Sequence, residues 1–320
     1  MVEPGAPDHA GRSGLADPTG LADLTGTTLP ERLLLLGLAQ PWPSDGIDPT
    51  DDIAHLGGLP PAEGVLLARL CRTVLAGTAR DPAMLAPFLQ VARQEGRLAD
   101  ELLLTQMGFA QARHRTALGR WLEVTGLGAQ AAEPGDEDPH THRLLHEALD
   151  RLQTDPDLTT HLATVTTALL VVDGMLTAVA GQAVALACQH RGTAPDLHRL
   201  ITAIGQDQRR MLAWATFTCR RLVAADDRRW GQLEALLAEL NPPALAALAA
   251  LAGPPGAPGA PLLGLDGAAL ARTGYAHTAR RLGVIATGRG RDPQHLDVDD
   301  EPLALEQRLA AEQGSPGSPV

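Results

Sequence analysis

Few side chains in this sequence are spaced for chemistry. His142 and His146 in HTHRLLHEALDRL stand one helical turn apart, with His140 just ahead of them, a spacing that two metal ligands on one helix face would need. Such a site also wants a third ligand or a catalytic carboxylate, and Glu147 falls outside the register, so the plainer reading is a solvated first turn. Glu95, Asp100 and Glu101 open a long periodic segment with Arg93 and Arg97 at salt-bridge spacing, and read as its solvent-facing side. Arg209 and Arg210 are adjacent cations of the kind that face water; one turned inward would neutralise a buried carboxylate. Cys71, Cys188 and Cys219 lie far apart with no CxxC, as buried thiols in a reducing compartment do. No GxSxG, phosphate-binding loop or post-strand GxGxxG occurs.

The elements that must position these groups are helices. The chain is 44% hydrophobic but only 2% aromatic, which suits Leu/Ala helix packing and predicts an all-α fold. A net charge of −12, with Arg as the sole strong base, argues against nucleic-acid binding, which needs a basic face. Periodicity predicts helices over about 62–78, 94–124, 141–153, 158–190, 195–224, 226–240 and 267–286. Residues 1–28 are Gly/Pro/Asp/Thr-rich and expected to be disordered, as is the tail 314–320. The bundle is expected to span 29–252, with a Pro/Gly linker over 253–265 and C-terminal helices over 266–313 packed on it. The apolar run from Ala163 to Cys188 carries Asp173, Gln182 and several Thr, so it reads as a buried bundle helix in preference to a membrane span. The first residues lack the basic and apolar regions of a signal peptide, and a cytoplasmic protein is expected.

Four long helices then have centres near residues 75, 110, 173 and 208, and bundles of this kind build sites from facing mid-helix side chains. Two stretches carry a resemblance: ARQEGRLADELLLTQMGFAQARHRTALGRWLE, and VVDGMLTAVAG followed by IGQDQRRMLAWATFTCRRLVAADDRRW. They resemble the ligand-binding oxidases of the ribonucleotide reductase small-subunit type, over roughly residues 62–285. That resemblance implies a ferritin-like four-helix bundle with additional helices, a homodimer, and a manganese/iron or di-iron centre beside a channel holding a long-chain fatty acid. It also implies where the metal ligands should be. The first-helix Glu position holds Thr78; the second-helix Glu-x-x-His holds Gln111 and His114; the third-helix Glu is Asp173; the fourth-helix Glu-x-x-His holds Gln208 and Met211. The family's cross-linking Tyr and Val positions hold Ala168 and Asp81, and the one tyrosine, Tyr275, lies outside the core helices.

Two hard divalent ions in a bundle need about four carboxylates and an imidazole each. These positions supply one carboxylate and one imidazole, and a thioether is too soft for Mn or Fe(II). The expectation is therefore a degenerate site with no cofactor, in a bundle that binds a fatty-acid-like or other apolar small molecule, or a protein partner. An inward Arg209 or Arg210 would stand in for the lost metal charge. The alternative is an enzyme with a rebuilt site. Asp81, His114 and Asp173 could hold a single Mn, Fe or Zn ion, although Asp81 also suits a cap for a helix restarting at Pro82. His114 and Asp173 could otherwise work as a metal-free acid/base pair.

Overall fold

The computed structural model describes residues 26–40, 42, 47–78, 85–130, 139–252 and 261–313, and among these there is no strand. The helices follow in the order α1 (Leu29–Ala39), α2 (Pro49–Leu56), α3 (Pro61–Thr78), α4 (Ala86–Gln94), α5 (Leu98–Val124), α6 (Leu127–Gln130) and α7 (Pro139–Thr154). A single apolar rod comes next, built of α8 (Leu158–Val165), a π-helical segment (Thr166–Thr177) and α9 (Ala178–Arg191). Then come α10 (Pro195–Ala225), α11 (Arg228–Leu251), α12 (Gly267–Ala286), α13 (Pro293–Leu296) and α14 (Glu301–Gln313). The core of the bundle is α3, α5, the α8–π–α9 rod and α10, each packed on its neighbours, with α11, α12 and α14 laid against the rod and α10.

Local chemistry sets the ends of these helices. Thr28 and Glu31 form a capping box on α1, and the Asp48, Asp157 and Asp266 side chains cap α2, α8 and α12 by accepting from first-turn N–H groups. Gly192 closes α9 in the left-handed region at φ +59°, where Thr193 N–H reaches back to the Cys188 carbonyl. The helix expected from residue 94 onward instead breaks, because Gly96 takes φ +67° and Arg97 N–H bonds the Ala92 carbonyl. That break reorients the acidic residues read as solvent-facing. Asp100 is 4% exposed, accepts from Trp214 Nε1 at 2.7 Å and pairs with Arg97 at 2.8 Å, so it ties α5 to α10. Glu101 does face outward and reaches Arg93 across the break at 2.6 Å. α11 continues through Pro242 and Pro243 to Leu251, beyond the end expected near residue 240.

The rod is where helix periodicity fails. Within Thr166–Thr177 the bonds run five residues apart: Ala178 N–H donates to the Asp173 carbonyl, and Thr177 Oγ1 donates to the Val172 carbonyl at 3.1 Å. π-helical turns are rare and collect at functional sites, and this one carries Asp173. α3 lies close against it, since a Cβ on Gly77 would collide with the Thr177 side chain. All three cysteines are buried and free. The rod and α11 are each long and apolar enough to span a membrane. Over an 18-residue apolar stretch the rod is 83% buried among the other helices as core, whereas the corresponding stretch of α11 is 28% buried.

Three buried histidines make the fold acid-sensitive. His161 is enclosed beside Phe88, its two ring nitrogens have no hydrogen-bond partner, and burial with nearby Arg221 and Arg97 pushes it down to about 4. Burial and Arg281 bring His277 to about 4 as well, and burial also lowers His114. A group whose folded pKa lies below its unfolded 6.5 costs nothing at high pH, and stability is lost as pH falls from 6.5 towards the folded value. Replacing His161 by Leu should flatten this acid limb, with a gain of about 2 kcal/mol at pH 5 relative to wild type. Urea unfolding at pH 5 and pH 8 checks this; equal effects at both pH values would refute the assignment.

Candidate functional site

The site lies where the four core helices meet. A cavity of about 20 Å³, room for a single water molecule, is lined by Gly77 from α3, Gln111 and His114 from α5, Asp173 from the π segment, and Asp207, Gln208 and Met211 from α10. The structure therefore brings together five of the sequence-selected positions: Gln111, His114, Asp173, Gln208 and Met211. Thr78 ends α3 next to Gly77, and Asp81 lies outside the described residues. Of the histidines near residue 140, His146 is exposed and away from the cavity; the His140 and His142 side chains are outside the described set.

The dominant charge here was not singled out from the sequence. It is Asp207, one residue before Gln208, whose side chain is 8% exposed. His114 Nε2 meets Asp207 Oδ2 at 2.7 Å, Arg113 approaches the same oxygen at 3.2 Å, and Arg210 binds Oδ1 at 2.5 Å. Burial on its own would raise the Asp207 carboxyl, but His114, Arg210 and Arg113 together hold it below the usual carboxylate range. Burial pushes His114 the same way, downward, more strongly than Asp207 lifts it, and the Arg113 and Arg210 charges add to the fall. The pair is thus an aspartate accepting from a neutral imidazole. With its proton on Nε2, His114 keeps a bare lone pair on Nδ1, which is buried without a hydrogen-bond partner, as is Gln111 Oε1.

Arg210 is the guanidinium that turns inward, but its carboxylate is Asp207 and not the expected Asp173; it also binds Gln40 Oε1. Arg209 points away from the small cavity into a larger one. From outside, Trp42 stacks on the His114 ring (centroids 5.2 Å apart, planes at 30°), and the Arg113 guanidinium lies 4.2 Å from the Trp42 ring centre. Gln40 and Trp42, both just past α1, thereby fasten that segment over the Asp207 cluster. In a chain so poor in aromatics, a tryptophan between two prolines was the signal available for this contact.

No protein-family model matches the chain. Solved structures do. The R2-like ligand-binding oxidase from Sulfolobus acidocaldarius aligns with a TM-score of 0.69 over 85% of this chain and 94% of its own, at 20% identity. A variant of an R2-like ligand-binding oxidase with an anaerobically reconstituted Mn/Fe cofactor aligns with a TM-score of 0.70, over 79% and 92% of the two chains, at 22% identity. Another variant of such an oxidase, carrying a non-activated Mn/Mn cofactor, gives 0.69 at 22% identity over 80% and 91%. The chain has the ferritin-like helical fold of the R2-like ligand-binding oxidases.

A dimetal centre does not suit this donor set. Around the cavity stand one imidazole, the carboxylates of Asp173 and Asp207, two amides and the thioethers of Met107 and Met211, and Asp207 is already committed to His114, Arg113 and Arg210. Among the described residues no group of three His, Cys, Asp or Glu side chains converges as a metal site.

Asp207→Asn should expose how much depends on the clamp. It removes the charge that Arg113, Arg210 and His114 share, at a cost of about 3–5 kcal/mol in folding stability. Urea denaturation followed by tryptophan fluorescence measures it. A loss within about 0.5 kcal/mol, the range of ordinary surface substitutions, would show that the cluster carries no structural weight.

Proposed function

We propose that this chain is a diverged relative of the R2-like ligand-binding oxidases that has given up dimetal redox chemistry and works as a binding protein for an apolar small molecule. The observation that carries this reading is the charge balance of the cluster. The guanidiniums of Arg113 and Arg210 both pair with Asp207, which leaves Asp173 as the one other carboxylate in the cavity lining. Two divalent ions would add about four positive charges with only Asp173 to meet them. Gln111, Gln208 and Met211 in place of charged or imidazole ligands support the same conclusion. Tyr275 is 55% exposed, so no tyrosine lines the cavity to serve as a radical or cross-link partner.

One observation favours a second reading. A metal-bound imidazole usually donates its other N–H to a carboxylate, and His114 does so to Asp207 while Nδ1 stays bare beside Asp173. A single Mn, Fe or Zn ion on His114 and Asp173, with Gln111 Oε1 as a further donor, is the enzyme that geometry would support; Asp81, the third ligand expected from the sequence, lies outside the described residues. The same bare Nδ1 would be the base in a metal-free version, with Asp207 orienting it.

Metal content decides between them. The full chain, expressed with excess Mn and Fe and purified without chelators, should hold well under one equivalent of metal, unchanged by His114→Ala. About one equivalent, lost in His114→Ala and in Asp173→Ala, would establish the mononuclear enzyme instead. Two equivalents would overturn both readings in favour of an intact dimetal oxidase.

A further inference from the structure

A second, much larger cavity of about 330 Å³ lies between α9, α10, α12 and α14. Gln208 belongs to the lining of both cavities and forms the wall between them. Leu186, Leu212 and Leu309 supply an apolar floor, and the exposed Gln189–His198 hydrogen bond (3.1 Å) lies at the rim.

The polar groups of this cavity are unevenly matched. Its one acidic side chain, Glu306, is gripped at both oxygens by Arg281, at 2.7 and 2.9 Å, and the remaining Arg281 nitrogen donates to the Gly174 carbonyl at 3.3 Å. That ion pair is complete and buried. Arg209, one turn from Gly205 on α10, is left half-buried on the cavity wall with no hydrogen bond or ion pair among the described residues. Gln182 on α9 and Gln208 on α10 are likewise without partners there. So is His277 on α12, which is only 8% exposed. Four polar side chains from three helices thus turn unpaired groups towards one space. None of these side-chain groups is sealed from water, so the convergence offers an occupant four polar groups that are free to exchange water for a ligand.

We propose that this cavity binds a compact organic monocarboxylate, with Arg209 anchoring the acid group. The charge count selects a monoanion: Arg281 and Glu306 cancel, His277 is held neutral by burial, and Arg209, which feels the Glu306 charge without bonding to it, is left as the net cation. Guanidinium recognises carboxylate through paired N–H donors. A plain alkyl chain would leave Gln182, Gln208 and His277 unpaired, so the body of the ligand carries hydroxyl, amide or ring-heteroatom groups beside an apolar face that rests on Leu186, Leu212 and Leu309. Asp173 and His114 lie on the far side of Gln208 and take no part in holding the acid. This inference rests on the reading of the chain as a small-molecule-binding bundle and narrows its ligand from an apolar molecule to an amphipathic acid with one apolar face.

The test is calorimetric titration of the full-length protein with a panel of hydroxylated aryl and cyclic monocarboxylates, their primary amides, and palmitate, before and after chelator treatment. Binding of one or more compact acids is expected, about tenfold or more tighter than the matching amide and unaffected by the chelator. Arg209→Gln should weaken binding of that acid about tenfold or more while leaving the thermal unfolding midpoint in place, since Arg209 makes no hydrogen bond or close ion pair among the described residues, and Arg209→Lys should restore part of the affinity. Unchanged affinity in Arg209→Gln, equal affinity for acid and amide, a preference for palmitate, or no binding by any compact acid up to millimolar concentration would each overturn the proposal. Those outcomes in a metal-poor protein leave the binding-protein reading standing. Acid binding that disappears with the chelator but survives Arg209→Gln would sink both, because the acid would then be held by a metal.

Discussion

The buried carboxylate of Asp207 is the interaction on which the centre of this molecule is built. It sits on α10, yet two of its three partners, Arg113 and His114, come from α5, and the third, Arg210, is one turn further along α10. Through Arg210 and His114 it also fastens Gln40 and Trp42 over the helix pair. A carboxylate taken out of water is unfavourable until it is paired, and removing one partner of such a pair leaves an uncompensated buried charge. The four groups therefore form a unit whose members have to be kept together, which explains why the cluster is closely joined beside the neutral side chains of Gln111, Gln208 and Met211.

The π segment supplies the other constraint. By spacing its bonds five residues apart it turns Asp173 into the cavity opposite His114 and allows Gly77 to bring α3 against Thr177. A regular α-helix through the same residues would rotate Asp173 relative to the positions before the segment. The cavity keeps the shape of a site made by four helices, at a volume suited to one water molecule. The polar atoms facing it, His114 Nδ1 and Gln111 Oε1, are those that a single small occupant would satisfy.

Much of the frame was legible in the residues. Leu and Ala at helical spacing gave the long helices, Gly192 and Asp157 mark ends that capping rules recognise, and the motif positions 111, 114, 173, 208 and 211 do converge on one cavity. What was not legible depended on three-dimensional pairing. Asp100 reads as a surface acid at the start of a helix, and only the break at Gly96 and the indole N–H of Trp214 make it a buried tie. Asp207 is likewise one more acid in a polar run until Arg113 is brought across from another helix. Periodicity cannot show a π register, because the apolar run from Thr164 to Val172 is buried on every side and has no face to lose.

Arg209 and Arg210 show how neighbouring residues of one type divide between two environments. A step of one residue turns a helix side chain through about 100°, so when Arg210 enters the Asp207 cluster, Arg209 must leave it. It emerges on the face of α10 that α12 and α14 cover, beside an ion pair that has already used the local carboxylate. With Glu306 gripped by Arg281, the Arg209 charge stands one helix face away from the small cavity, with Gln208 as the partition. The four-helix centre meets its buried carboxylate with charges of its own, whereas behind that partition Arg209 faces a cavity whose one carboxylate is already taken.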